Sequence, residues 1–378
     1  MQSAIAISVF EQLGVKPVIN ARGHNTVLGG STPSARVKAA MDQADRYFVE
    51  MKDLLERSGE IVADLLGAEA AYITPGAAAA MALGTAACIT GTDVEKMARL
   101  PDTTGLKSRV LLQFNQQYSY QRACTIVGTK LILVGDERGT SKDQLAAALD
   151  DQTACVLYPA HLEDATGVLR LETVLEMAHQ REIPVLVDAA GQVYPIERFK
   201  SYPRMGCDLI AFGGKYIGGF NSSGILCGRK ALIDAAVPQG FIGFETQTQR
   251  RGFGRPLKLD RQEIIGLVVA LQDWMTMDHD RRLADLERRL DVVRRQVDGL
   301  PGVSVNLIRG IGSSPRTLEI AIDPKAARRD AAAVIEGLRD GSPSIAVGAI
   351  EGGLRINVAT VWEGDEEIVA RRLRALLQ

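Results

Sequence analysis

The chain has 378 residues, more than one ordinary hydrophobic core holds, which predicts a large domain with a smaller one. Apolar residues make up 46% and charged residues 24%, a balance typical of a folded globular protein, which excludes a disordered chain. The formal charge of −2 argues against a protein that gathers nucleic acid or anionic membrane, so a small molecule is the expected partner.

Helical and strand patterns alternate over the first 240 residues. A helical pattern from 34 to 66 follows a Ser-Thr-Pro-Ser start signal and predicts one long helix or a broken one. Seven short apolar runs follow, at 70–74, 110–114, 130–134, 155–158, 184–188, 208–212 and 225–227. Because these runs are continuously apolar, they predict strands covered by helices on both faces, as in a mostly parallel sheet. The predicted fold class is therefore α/β.

A change of pattern after residue 240 indicates a second domain. A Gly- and Arg-rich segment at 240–255 predicts a linker, and long charged helices are expected from 260 to 297. Further strands are predicted at 303–308, 317–322 and 354–359, and helices at 330–339 and 365–377. The predicted domains are an N-terminal segment of residues 1–30, a large domain of residues 31–245, and a small α+β domain of residues 246–378.

The cysteines and histidines indicate neither a metal site nor a disulfide framework. The five cysteines are scattered among apolar residues without a C-x-x-C pair, which predicts reduced core thiols. The four histidines lack the spacing of metal ligands, so we expect no metal. With no secretory leader pattern and no long apolar run, the protein is expected to be cytoplasmic and to make no membrane contact.

The residues that follow strands are the first candidates for a site, because open parallel sheets bind ligands beyond the carboxyl ends of their strands. After the first of the seven strands, Gly76, Ala77 and Ala78 open an alanine-rich helix. Exposed N–H groups at a helix start bind phosphate, and such small residues let an anion approach the backbone. A tightly packed core helix would need small residues as well.

Two charged residues follow later strands. Asp188 is followed by Ala-Ala-Gly, and a carboxylate there suits the protonated ring nitrogen of a pyridine cofactor, although it also suits a helix N-cap. Lys215 stands in Phe-Gly-Gly-Lys-Tyr-Ile-Gly-Gly, where the glycines leave room for a planar group bonded to its amine. Burial would lower the lysine pKa and give the neutral amine that condenses with an aldehyde. A solvated lysine is the alternative, and Tyr216 breaks the P-loop pattern.

These features and several other motifs resemble one family. The motifs lie at 18–23, 28–31, 68–71, 183–190 and 208–219. Over nearly its full length the chain resembles selenocysteine synthase-like pyridoxal-phosphate proteins of fold type I, and especially their shorter relatives, the glucosaminate-6-phosphate ammonia-lyases. The resemblance implies a seven-stranded, mostly parallel sheet, pyridoxal 5'-phosphate as cofactor, and a homodimer or higher homo-oligomer.

The resemblance also implies roles for individual residues. Lys215 would hold the cofactor as a Schiff base, Asp188 would pair with the pyridine nitrogen, and the first residues of the alanine-rich helix would form part of the phosphate cup. Ser222 and Ser223 match a polar turn that such dimers lend to the neighbouring subunit's cofactor; a plain connecting turn is the alternative.

One further segment matches the region that covers the ring face in the family. It contains Gln116 and Tyr118, and either is a candidate to stack on the cofactor. The relatives carry His or Arg there, so Gln116 departs from the family pattern.

Four other residues are candidates for the substrate pocket. Arg355 matches a carboxylate-binding arginine of fold type I enzymes, with a surface arginine on an edge strand as the alternative. Arg22 and His24 belong to the N-terminal segment, which resembles the family's loop that runs into the active site. Each contacts substrate there, or is structural or solvated. His161, near Glu163, follows the strand at 155–158 and is a candidate acid or base.

The predicted function is that of a pyridoxal-phosphate-dependent lyase acting on an amino acid or amino-sugar acid. Lys215 would remove the α-proton and a β-substituent would depart, while Asp188 keeps the ring nitrogen protonated. An aminotransferase, racemase or aldolase would use the same groups. Two other classes stay open: tRNA-dependent selenium transfer, which the absence of a basic tract disfavours, and a catalytically silent protein, which Lys215 and Asp188 disfavour.

Overall fold

The computed structural model describes residues 9–246 and 252–378. The strands are β1 (Val18–Ala21), β2 (Ala70–Thr74), β3 (Arg109–Gln113), β4 (Lys130–Val134), β5 (Thr153–Pro159), β6 (Val185–Asp188), β7 (Leu209–Gly213), β8 (Gly224–Gly228), β9 (Val303–Arg309), β10 (Arg316–Ile322), β11 (Ser344–Ile350) and β12 (Gly353–Ile356). The helices that build the fold are α1 (Ala35–Asp45), α2 (Met51–Leu66), α3 (Ala77–Thr90), α4 (Val94–Arg99), α5 (Arg122–Thr125), α6 (Lys142–Ala148), α7 (Leu171–His179), α8 (Ile196–Phe199), α9 (Ser201–Arg204), α10 (Lys230–Ala236), α11 (Phe241–Thr246), α12 (Arg261–Thr276), α13 (His279–Val297), α14 (Ala331–Asp340) and α15 (Asp365–Leu377).

The larger of two compact units spans residues 32–276 and holds a seven-stranded sheet in the order β2-β8-β7-β6-β5-β3-β4. Strand β8 runs antiparallel to both of its neighbours, and the other adjacent pairs are parallel. Each of the seven predicted strands is present, and the predicted mostly parallel α/β sheet is confirmed. Continuous apolar runs formed these strands because helices cover the sheet on both faces.

Helix α3 lies against this sheet and is buried along nearly its whole length. Small side chains allow the close approach: a Cβ added at Gly84 would lie 3.2 to 3.4 Å from leucine side chains of three strands. The alanine run that predicted a helix start therefore also serves core packing. The helical pattern from 34 to 66 is broken, because α1 ends at Asp45 and α2 begins at Met51.

The smaller unit joins residues 277–378 to the segment before residue 32. Its five-stranded sheet has the order β1-β11-β12-β10-β9, with β1 parallel to β11 and the other pairs antiparallel. Helices α13 and α15 pack together, and α14 packs against β11. Strands β1 and β11 were not among the predicted elements.

The unit boundaries differ from the predicted domain boundaries. Helix α12 packs against α1 and α2 inside the larger unit, so the smaller unit begins at Met277 rather than at residue 246. The N-terminal segment carries a strand of the smaller unit's sheet. Within the predicted linker at 240–255, residues 241–246 form α11, and residues 247–251 lie outside the described residues.

Candidate cofactor site

Three neighbouring strands of the larger sheet end at the same edge. Pro159 of β5 lies opposite Asp188 of β6, which in turn lies opposite Ala211 of β7. The chain continues from β7 into a short 3₁₀ turn that carries Lys215. Because these strands are parallel, Asp188 and the turn with Lys215 both lie at the carboxyl edge of the sheet.

Strand β8 connects this edge to the start of α3. Gly224, its first residue, lies opposite both Gly213 of β7 and Thr74 of β2. Thr74 ends β2, and α3 begins three residues later. The start of α3 therefore lies at the same edge as the Lys215 turn.

Asp188 is buried, with 4% of its surface exposed. Its Oδ2 accepts a hydrogen bond of 2.5 Å from the Tyr118 hydroxyl, and its Oδ1 accepts one of 3.1 Å from the Ala190 amide. Burial raises the pKa of the Asp188 carboxyl, while the two hydrogen bonds and the charge of His161 act in the opposite direction. The carboxylate is therefore held in place by neutral donors in a dry environment.

Lys215 lies on a turn whose glycines are required by close packing. A Cβ at Gly214 would lie 2.2 Å from the Ser223 hydroxyl, and Gly219 is also packed against Gly214. The Lys215 amine lies 5.1 Å from the centre of the Tyr216 ring. Partial burial lowers the pKa of the Lys215 amine, which increases its neutral, nucleophilic fraction.

The start of α3 carries only glycine and alanine residues. Its N-cap, Gly76, has φ of 87°, a conformation that favours glycine, and a Cβ added there would meet nothing within 4 Å. No side chain caps this helix start. A Cβ at Gly224 would lie 2.4 Å from the Gly76 carbonyl carbon, so glycine is needed there for contact. The space over the N–H groups of Ala77 and Ala78 suits a phosphate.

These three features fit the three polar parts of pyridoxal phosphate. A helix start free of side chains suits the phosphate, a buried carboxylate suits a protonated ring nitrogen, and a lysine with a lowered pKa suits the aldehyde. The donor set at the carboxyl edge is therefore chemically matched to the predicted cofactor.

The two serines of the polar turn are bonded within their own chain. Ser223 is buried, and its hydroxyl donates to the Phe220 carbonyl at 2.9 Å. The Ser222 hydroxyl donates to Glu263. Burial argues against the predicted contact of Ser223 with a neighbouring subunit's cofactor, whereas Ser222 is exposed.

Gln116 and Tyr118, the two candidates for the ring face, have different surroundings. Gln116 is 0% exposed, and its amide is bonded to Gln113 and to the Pro159 carbonyl. These internal bonds argue against stacking of Gln116 on a cofactor. Tyr118 is half-buried and directs its hydroxyl to Asp188.

His161 is exposed on a short 3₁₀ turn after β5. Its ring meets Tyr118 edge-on, with ring centres 5.2 Å apart, so the structure brings it to the group around Asp188. Glu163, its neighbour, instead forms an ion pair with Arg198 at 2.5 Å. His161 is therefore still a candidate acid or base. Glu163 has a structural role in its ion pair with Arg198.

The three predicted substrate residues belong to the smaller unit. The exposed Arg355 on β12 forms an ion pair with Glu319 of β10 at 2.6 Å. Arg22 forms a β-bridge with Asn357, two residues beyond Arg355, and His24 is half-buried nearby in sequence. The structure therefore brings Arg22 close to the strand of Arg355, and a carboxylate of the chain already binds the Arg355 guanidinium.

Sequence reasoning missed several contacts of the site. It did not identify the bond from Tyr118 to Asp188, which joins positions 70 residues apart. It also missed the Ala190 amide and the packing of Tyr216 beside Lys215. No local pattern signals the bond between Tyr118 and Asp188, because it depends on how separate segments meet at the sheet edge.

Comparison with known proteins decides the family. Residues 115–324, more than half of the chain, match the aminotransferase class-V family. The chain belongs to the aminotransferase class-V family. The family is pyridoxal-phosphate dependent, so the predicted cofactor and fold type I architecture are confirmed.

Several relatives of known activity match nearly the whole chain. A 5'-C-glycyluridine monooxygenase-decarboxylase of Streptomyces sp is 31% identical over 97% of this chain and 92% of its own. The D-glucosaminate-6-phosphate ammonia lyase of Salmonella typhimurium is 27% identical over 98% of both chains. An L-seryl-tRNA(Sec) selenium transferase of Moorella thermoacetica is 24% identical over 96% of this chain and 82% of its own. The predicted resemblance to glucosaminate-6-phosphate ammonia-lyases and to selenocysteine synthase-like proteins is confirmed.

A solved structure gives the same result. The structure of a D-glucosaminate-6-phosphate ammonia-lyase superimposes with a TM-score of 0.84 at 27% identity, covering 98% of each chain. The similarity to that structure therefore extends over residues of both units.

Two further properties concern the described residues. Within residues 9–246 and 252–378, no group of three or more His, Cys, Asp or Glu side chains could hold a metal ion. In the same ranges no helix combines the length and the apolar character needed to cross a bilayer. The five cysteines are free, and four of them are buried.

Proposed function

We propose that the chain is a pyridoxal-phosphate-dependent lyase that acts on an α-amino acid with a hydroxylated, sugar-derived side chain. The observation that carries the proposal is the placement of Lys215 and the buried Asp188 at one sheet edge, next to the start of α3. Similarity to an ammonia lyase over 98% of both chains supports the reaction class.

Each of these groups has a proposed role. When bound, the cofactor withdraws electrons from the substrate's α-carbon through its protonated pyridine ring. Asp188 binds the ring N–H and stabilises its positive charge, because a buried carboxylate gains most from a cation placed beside it. The N–H groups of Ala77 and Ala78, with Gly76, bind the phosphate.

Lys215 is proposed to act twice. Its neutral amine would hold the cofactor through the aldehyde, and the same amine would accept the substrate's α-proton. The lowered pKa of Lys215 serves both steps, since a protonated amine can neither attack a carbonyl nor accept a proton.

The substrate class follows from two relatives. The Salmonella lyase is named for D-glucosaminate-6-phosphate, and the Streptomyces relative is named for 5'-C-glycyluridine. Both names describe an α-amino acid attached to a sugar-derived carbon chain. Arg22, His24 and Arg355 remain the proposed substrate-binding residues, and Arg355 would exchange Glu319 for a substrate carboxylate.

The proposed overall reaction is α,β-elimination. A β-hydroxy-α-amino acid loses its α-proton and its β-hydroxyl as water, and the resulting enamine hydrolyses to a 2-keto acid and ammonia. Water released in the first stage balances water taken up in the second. His161 is the proposed proton donor to the leaving hydroxyl, since it lies exposed at the same rim.

The first test concerns the cofactor. The purified protein should show a visible absorption band that borohydride fixes to the chain, and Lys215→Ala should lose this fixation. Lys230→Ala is the matched control, because Lys230 is a surface lysine paired with Asp234 and should leave the band unchanged. A protein that stays colourless with added pyridoxal phosphate would refute the proposal.

The second test concerns the reaction, for which the Streptomyces relative suggests a second candidate. β-Hydroxy-α-amino acids with sugar-derived chains are incubated with the enzyme, and ammonia, 2-keto acid, carbon dioxide and oxygen uptake are measured. Equal amounts of ammonia and keto acid without oxygen uptake support the lyase. Carbon dioxide release coupled to oxygen uptake would support a monooxygenase-decarboxylase instead.

Assembly and location complete the proposal. We propose a cytoplasmic homodimer without nucleic acid, because the family resemblance implies an oligomer and the net charge of −2 gives little attraction for tRNA. Light scattering of the purified protein tests the dimer. A salt-dependent shift of tRNA mobility would support the selenium-transferase alternative.

A further inference from the structure

The hydroxyl of Tyr118 has no role in the chemistry proposed above. It donates to Asp188 Oδ2 at 2.5 Å, and its oxygen lies 3.5 Å from Met81 Sδ. The ring packs edge-on against His161. The Tyr118 amide donates to Gln121 Oε1 at 3.0 Å, which fixes the residue at the start of a short turn. The ring contact with His161 and the amide bond to Gln121 therefore orient this hydroxyl toward Asp188.

The bond between the two side chains favours one proton arrangement. An O–H donor at 2.5 Å lies in the range of charge-assisted hydrogen bonds, which are roughly twice as strong as neutral ones. It favours the ionised form of Asp188 and opposes the burial that raises the pKa of that carboxyl. Burial and the charge of Asp188 raise the pKa of the Tyr118 phenol, so Tyr118 remains the donor.

We propose that the Tyr118 hydroxyl is a positioning group, which holds Asp188 ionised and oriented so that its carboxylate binds the ring N–H of pyridoxal phosphate. The inference rests on the proposed cofactor site. Tyr118 acts through Asp188 and takes no part in bond making. This role differs from stacking on the ring face, because stacking requires the aromatic ring whereas positioning requires the hydroxyl.

The test compares two cofactors and two tyrosines. Apo-protein is titrated with pyridoxal phosphate and with the analogue in which carbon replaces the ring nitrogen. Tyr118→Phe keeps the ring and removes the hydroxyl, and should bind pyridoxal phosphate roughly tenfold or more weakly. Its affinity for the analogue should stay within about twofold of the wild type. Tyr120→Phe, an exposed neighbour with its ring centre 6.1 Å away, should leave both affinities unchanged.

A double-mutant cycle gives a second measurement. In an Asp188→Asn background, Tyr118→Phe should cause no further loss of selectivity for the ring nitrogen, because the charge through which Tyr118 acts is gone. Selectivity is the ratio of two affinities measured on one preparation, so it stays interpretable when Tyr118→Phe lowers the fraction of folded protein. An equal loss of both cofactors, or a loss of neither, would overturn the positioning role.

Failure of this inference is distinguishable from failure of the proposed function. If the wild-type protein binds no pyridoxal phosphate, the proposed function fails. If the wild type binds it and Tyr118→Phe keeps the wild-type preference for pyridoxal phosphate over the analogue, the positioning role alone fails.

Discussion

Two carboxylates are buried in the larger unit, at opposite ends of adjacent parallel strands. Asp188 ends β6, whereas Asp208 immediately precedes β7. They are 4% and 0% exposed, and both accept a backbone N–H. They differ in the charges of their partners, and this difference separates a structural carboxylate from a functional one.

Asp208 receives a cationic donor, Arg229, from its own chain. Its oxygens accept from His179 at 2.8 Å and from Arg229 at 3.0 Å, and the Val185 amide adds a third bond at 2.8 Å. These contacts join the end of α7 and the start of β6 to the residue after β8. A buried carboxylate paired in this way fixes the packing of its surroundings.

Asp188 forms no ion pair with any residue in the described ranges, and its donors, Tyr118 and Ala190, are neutral. A carboxylate buried under these conditions has a raised pKa and gains from a cation supplied by a ligand. The contrast teaches that the incomplete pairing of Asp188, rather than its burial, indicates a binding site.

The largest expected effect tests this contrast at Asp188. Asp188→Asn keeps the shape and removes the charge, so kcat/KM for the lyase substrate should fall by about 100-fold or more. The apo-protein should unfold at the same temperature as the wild type or higher, because no charge is then buried. Steady-state kinetics and apo-protein thermal unfolding measure the two effects. A variant that loses stability along with activity would contradict the contrast.

The next effect is expected at Asp208. Asp208→Ala removes the shared acceptor of His179 and Arg229 and should lower the free energy of unfolding by about 2–3 kcal/mol. Bound cofactor should keep its absorption spectrum, since Asp208 lies at the other edge of the sheet. Denaturant unfolding with a parallel spectrum checks both results. An altered spectrum without loss of stability would place Asp208 in the functional site instead.

The smallest effect is a pH dependence of the apo-protein. The folded pKa of Asp188 is raised above its ordinary value of 3.8. The stability contributed by the neutral carboxyl is therefore present below the unfolded value and is lost as the pH rises through the folded one. The unfolding free energy of the wild type relative to Asp188→Asn should fall as the pH rises above 3.8. A difference that stays constant or rises with pH would contradict the raised pKa.

The sequence predicted the elements whose causes are local. Continuous apolar runs predicted β2 to β8, and glycines around Lys215 indicated a turn without side chains. Strands β1 and β11 were missed because β1 is short and its partner lies near the other end of the chain. The boundary between the compact units differs from the predicted domain boundary, because the packing of α12 on α1 and α2 depends on tertiary contacts.

The site was predicted to the same extent. Asp188 and Lys215 followed apolar strands, so topology alone placed them at one edge. The surroundings of the polar residues were not predictable. Gln116 and Ser223 look available in the sequence, yet internal acceptors and donors hold both inside the fold.

The pairing of β1 with β11 has a consequence for biosynthesis. Residues 18–21 are synthesised before the larger unit, whereas their partners at 344–347 are synthesised after it. The larger unit, residues 32–276, is complete before that point and has its own core and sheet. Since domains generally fold as units during synthesis, the larger unit can fold first. Strand β1 pairs only after its partner β11 has been synthesised. The sheet of the smaller unit is thus completed only after the whole larger unit has been synthesised.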